Sequence, residues 1–135
     1  MEPINKLRLR LRLRLTTSEG IVIGPGRADL LALIEQTGSI AAAGRQMKMS
    51  YRRAWTLVEA MNSSFTSPLV ETSKGGAERG GARLTALGTA LLAAYRELEA
   101  ITLRDGTAQF ARFAAALAPL PAATPNQSHP SDEQF

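Results

Sequence analysis

Apolar and polar positions recur in two different periods along this chain, and the switches between them lay out its elements. Leu7, Leu9, Leu11, Leu13 and Leu15 interleave with Arg8, Arg10, Arg12 and Arg14. A period of two puts the leucines on one face of a strand and the arginines on the other. Thr16-Thr17-Ser18-Glu19-Gly20 has turn chemistry and Ile21-Val22-Ile23 is a second short apolar run, so the segment reads as a β-hairpin. Gly24-Pro25-Gly26 ends it. The period then lengthens: Leu30, Leu33 and Ile34, widened by Leu31, predict a helix from about Arg27 to Thr37. Gly38 suits the left-handed end of that helix, and Ser39 can cap the next.

The stretch from Ser39 to Asn62 is the one the rest is organised around. Ile40 to Met47 is rich in alanine, the best helix former, and Met47-Lys48-Met49 is too short for anything but a turn. Ser50 caps a second helix. Tyr51, Ala54, Trp55, Val58, Met61 and Asn62 share one stripe of it, and Arg52, Arg53, Thr56 and Glu59 the opposite face. This is a helix-turn-helix pattern whose second helix begins with a basic, exposed turn. Past the loop Phe65 to Pro68, Leu69 to Ser73 and Arg83 to Thr85 read as two strands. They flank Lys74 to Ala82, a loop with four glycines, the wing of a winged helix.

Thr85 can cap a long helix running to about Arg104. Its apolar side, Leu84, Leu87, Leu91, Leu92, Tyr95, Leu98 and Ile101, is wide enough to serve both the core and a second subunit. Asp105-Gly106 breaks it, and Phe110, Phe113, Ala114 and Leu117 predict a last helix over Thr107 to Ala118. That helix either folds back on its own domain or joins a dimer. From Pro119 onward four prolines predict a disordered tail. The expected fold class is mostly α with small β (α+β): a winged helix-turn-helix with an N-terminal β-hairpin and a long C-terminal dimerisation helix. It is divided as 1–104, a short helix at 105–118 and a tail at 119–135.

Charge and chemistry narrow the function. The 135 residues carry a formal net charge of +4, with a pI of about 10.1, which favours an anionic partner. Gln36 to Val58 holds no Asp or Glu but four basic residues, Arg45, Lys48, Arg52 and Arg53. There is no cysteine, and the single histidine, His129, sits in the tail. The folded part thus has no imidazole or thiolate for general base or metal work, and no enzyme is expected. No secretory signal and no apolar run near the ~18 residues of a membrane span is visible. The expectation is a cytoplasmic, nucleoid-associated protein with no membrane partner.

Three features admit two readings each. The Leu/Arg run is either a basic stripe for DNA phosphate or a membrane, or a half-buried strand with an arginine solvent face; the second is the plainer reading. The Gly-rich loop lacks the Lys-Ser or Lys-Thr order of a phosphate-binding P-loop, which leaves the wing or a plain hairpin tip. Trp55, on the apolar stripe, is read as core rather than as a stacking residue.

The run Ser39 to Asn62, followed by Leu69-Val70-Glu71, the Gly-rich loop and Leu84-Thr85 with Gly88, resembles the N-terminal DNA-binding domain of ModE-type molybdate-dependent transcriptional regulators. That domain is itself similar to the winged helix-turn-helix of LysR-type regulators. The resemblance covers roughly Leu7 to Arg104 and implies a homodimer, joined through its long terminal helix, on a two-fold operator in double-stranded DNA. In that family molybdate binds in separate C-terminal domains marked by Thr-Ser-Ala-Arg-Asn, a motif that Thr124-Pro125-Asn126-Gln127 does not supply. No cofactor is therefore expected in this chain, molybdate being implied by the resemblance alone.

The expected function is a sequence-specific transcriptional regulator, a repressor in sense. The second helix enters the major groove with Ser50, Tyr51, Arg52, Arg53 and Thr56 nearest the bases. Ser39 and Lys48 touch phosphates, and Lys74, Arg79 and Arg83 follow the backbone or minor groove. The alternatives are a winged-helix protein-interaction module, or the DNA-binding partner of a separate oxyanion sensor.

Overall fold

The computed structural model describes residues 6–73 and 81–120. Lys74, Arg79 and the tail beyond 120, with His129, lie outside the described residues. In chain order the elements are β1 (Leu15–Thr17), β2 (Gly20–Ile23), α1 (Pro25–Thr37), α2 (Ile40–Gln46), α3 (Tyr51–Ser64), β3 (Val70–Thr72), β4 (Ala82–Leu84), α4 (Ala86–Asp105) and α5 (Thr107–Ala116). This is the α+β winged helix-turn-helix that the periodicities predict. Among the described residues, those within 11–104 form one compact unit, and 6–10 with 105–120 belong to another.

The core of the larger unit gathers one face from each helix. Leu30, Leu31 and Ile34 of α1, Ala43 of α2, Ala54, Val58 and Met61 of α3, and Leu69 are fully buried, with Leu92 and Tyr95 of α4 closing over them. Local chemistry sets the helix ends. Pro25 opens α1, where its missing N–H is no loss. Gly38 closes α1 at φ 71°, its N–H donating to the Ile34 carbonyl at 2.8 Å. The Ser39 hydroxyl then accepts the Ala42 N–H at 3.0 Å, and the Thr85 hydroxyl accepts the Gly88 N–H at 3.0 Å.

The N-terminal strand is shorter than the Leu/Arg alternation predicts. Residues 6–14 belong to no helix or strand, and only Leu15–Thr17 pairs with β2, Leu15 opposite Ile23 across a bulge. β2 is only four residues long, so nothing remains to form a ladder with the residues before Leu15. The sidedness of the run survives only over 11–14, where Leu11 and Leu13 are half-buried and Arg12 and Arg14 exposed; Leu7 and Leu9 are exposed like Arg8 and Arg10. Leu13 is held by the Tyr95 hydroxyl, which donates to its carbonyl at 2.6 Å. Burial, followed by the nearby Glu99 carboxylate, raises the Tyr95 phenol above its ordinary value, so it keeps the proton this bond needs.

Asn62 does work that its place on the apolar stripe did not announce. Its side-chain oxygen accepts the Leu69 and Val70 N–H groups at 2.8 and 3.0 Å, and its amide nitrogen donates to the Val70 carbonyl at 3.0 Å. Both partner residues are buried. Asn62→Ala is therefore expected to leave backbone donors unsatisfied and to destabilise the domain by about 2 kcal/mol. A urea melt showing no change in midpoint would contradict that role.

Candidate nucleic-acid interface

The helix-turn-helix is built from close approach. At Gly44 on α2 an added Cβ would lie 3.0 Å from the Cβ of Ala54, so the two helices touch almost backbone to backbone. The turn between them is tight because Lys48 takes φ 60°, a left-handed conformation uncommon outside glycine. The N–H groups of Lys48 and Met49 return to the carbonyls of Arg45 and Gly44, each at 3.0 Å. Lys48 thereby stands exposed at the corner.

Beyond the corner, the Ser50 hydroxyl accepts the Arg53 N–H at 3.0 Å and starts α3 cleanly. Tyr51, Arg52, Arg53 and Thr56 are all exposed on its first turns. Arg52 and Arg53 enter no ion pair among the described residues. The Thr56 hydroxyl donates back to the Arg52 carbonyl at 2.9 Å, which leaves its oxygen as an acceptor. The cluster has the fork-shaped donors and small hydroxyls that read base edges and phosphates.

Two side chains at the start of this helix meet one another, and Trp55 packs against the core as expected. Tyr51 fits the apolar stripe by spacing, yet is 54% exposed, because the core ends one turn later at Ala54. Trp55 is half-buried at the core margin, and its indole N–H donates to the Tyr51 hydroxyl, with the rings edge-on at 6.3 Å. Tyr51 thus has its oxygen engaged and its ring braced before any ligand arrives.

Ser39 is half-buried, and its N–H donates to the Thr37 hydroxyl at 3.2 Å. Its place is fixed by the cap on α2. Arg83 lies on β4 opposite Glu71 and pairs with it at 2.6 Å on the surface. Its charge is partly spoken for, unlike those of Arg52 and Arg53. The β3–β4 hairpin is tied to the helix-turn-helix, since the Ala82 N–H donates to the Gly38 carbonyl at 2.9 Å.

An apolar hollow of about 100 Å³ is lined by Leu15, Ile23, Phe65, Leu91, Ala94, Tyr95 and Leu98. Of its lining, Leu15 of β1 and Leu98 of α4 remain 39% and 38% exposed, so the hollow is not covered there by its own unit. No residue of α5 is buried, and Phe113 is 71% exposed. Among the described residues no helix is long and apolar enough to cross a membrane.

No family model matches the chain. It is 47% identical over 81 residues to the molybdenum-pterin-binding protein MopB of Rhodobacter capsulatus, covering 60% of this chain and 30% of that protein. To the transcriptional regulator ModE of Haemophilus influenzae it is 40% identical over 87 residues, covering 64% of this chain and 34% of the relative. The chain thus spans about a third of the length of these relatives. The DNA-binding domain of CbnR, solved in a complex with DNA, superposes over 64% of this chain and 94% of its own, with a TM-score of 0.51 and 23% identity. The resemblance to ModE-type regulators therefore stands on residue identity, and the fold is shared with the CbnR DNA-binding domain.

Proposed function

We propose that this chain is a DNA-binding transcriptional regulator that acts as a homodimer and reads a two-fold operator. The observation that carries the reading is the first turn of α3. There, an unpaired Arg52–Arg53 pair, a capping Ser50, a braced Tyr51 and Thr56 stand exposed directly after a left-handed corner. Arginine placed there can take guanine O6 and N7 with two hydrogen bonds. Lys48 and Ser39 serve phosphates from the corner and from the cap of α2, and Lys74, Arg79 and Arg83 serve the flanking backbone.

The regulatory names of the relatives and the DNA complex of the structural neighbour support the same class. Repression is the sense of control we assign, a dimer on its operator being an obstacle to transcription. The dimer is supported by the hollow beside α4 and its exposed leucines, which a second copy of the helix would cover. No oxyanion site is assigned to the described residues.

Selection of genomic fragments over a salt series, with and without molybdate, tests this. An enriched palindrome is expected, with log K falling against log salt at about −0.9 per phosphate contact, at a stoichiometry of two chains per site. Absence of enrichment at every salt concentration would move the protein to the interaction modules.

A further inference from the structure

The arginines of the Leu/Arg run have no place in the site described so far. Arg8, Arg10, Arg12 and Arg14 are all exposed, as is Lys6 before them. None enters an ion pair among the described residues. From Pro3 to Ser18 the sequence contains no Asp or Glu. Residues 6–14 also belong to no strand or helix, so the solvent face of a sheet does not account for the arginines. The half-buried Leu11 and Leu13, with the Tyr95 bond to the Leu13 carbonyl, fix the root of the segment and keep Arg12 and Arg14 turned outward.

We propose that Arg8, Arg10, Arg12 and Arg14 form a comb that binds the phosphate backbone of duplex DNA, a second contact element independent of base reading. This rests on the DNA-binding function proposed above and adds a site to it. Drawn out along a duplex, such a run would present alternate side chains every ~6.8 Å. One strand of the duplex offers a charge every ~3.4 Å of axis, so each guanidinium finds its own phosphate. Arginine rather than lysine suits such contacts, because its planar fork takes two phosphate oxygens at once. Four like charges at this spacing repel one another in the free protein, and a polyanion relieves that repulsion. A lipid surface would also attract them, but peripheral membrane adsorption is typically the work of an amphipathic helix, and residues 6–14 form no helix. The contacts carry no sequence information.

The test is R8Q/R10Q/R12Q/R14Q in the full chain, titrated with the selected operator and with a random duplex over a salt series. The salt slope is expected to become shallower by ~3.6, four contacts at ~0.9 each. Affinity for the operator and for the random duplex should fall by the same factor, leaving their ratio intact. The pair variant R8Q/R10Q, which leaves the 11–104 unit untouched, should shift the slope by ~1.8 even if the fourfold variant fails to fold. An unchanged slope in a folded variant would overturn the comb while leaving the recognition helix standing. Absence of salt-dependent DNA binding in the wild type would remove both. Flotation with phosphatidylserine vesicles that the variant loses, alongside an unchanged DNA slope, would overturn the comb in favour of a membrane role.

Discussion

Replacing Gly88 by alanine is expected to destabilise the domain by about 3 kcal/mol and to lower its melting temperature by roughly 10–20 °C. A Cβ at this position would lie 2.1 Å from the Leu69 carbonyl oxygen, against the 3.4 Å or more of an ordinary contact. That oxygen cannot simply retreat. It accepts the Thr85 N–H at 2.9 Å, and Leu69 itself is fully buried and held from the other side by Asn62. Thr85 in turn donates its hydroxyl proton to the Pro68 carbonyl at 2.7 Å while capping Gly88. The start of α4 and the entry to β3 are thus bolted together at the point where the methyl would go. Alanine's better helix propensity, about 1 kcal/mol, offsets only part of this. Gly26→Ala is the control: Gly26 is exposed on the first turn of α1 with nothing within 4 Å, so the same change there should be neutral or slightly stabilising. Thermal melts of the two variants must move apart. Equal melts would mean that α4 does not approach β3 as closely as described.

The double variant Arg52→Ala, Arg53→Ala is expected to weaken operator binding by at least about 100-fold, since one bidentate guanine contact discriminates by ~1–3 kcal/mol. Folding should be unaffected, as both side chains are exposed and unpaired among the described residues, and alanine favours the helix. Discrimination between operator and random duplex should collapse with it, in contrast to the uniform loss expected of a phosphate contact such as Lys48. Anisotropy titrations at one salt concentration measure both quantities. A variant with wild-type affinity and selectivity would remove the recognition-helix assignment.

What could be read in advance was what a few neighbouring residues decide. The caps at Ser39, Ser50 and Thr85 and the left-handed Gly38 depend on atoms within four positions, and each falls where it was expected. What could not be read depended on distant partners. The alternation from Leu7 to Leu15 carries a strand signal, but a ladder needs a neighbour, and β2 reaches only as far as Leu15. The tasks of Asn62 and Gly88 arise where β3 folds against α3 and α4, and a helical stripe contains no trace of that meeting. The Arg83–Glu71 pair was closer to hand: once two strands and their register are assumed, opposite charges facing each other across a hairpin follow.

The bond from the Ala82 N–H to the Gly38 carbonyl joins β4 to the turn that launches α2, and Asn62 fastens the neighbouring strand β3 to α3. The base of the β3–β4 hairpin and α3 are therefore held at a fixed separation, like the jaws of a caliper. A caliper does not adjust to its object. On the proposed function, a DNA whose grooves are spaced differently must twist or bend to enter, and the cost of that deformation depends on the base steps between the two points of contact. Such a protein would select its sites partly by the stiffness of bases it never touches.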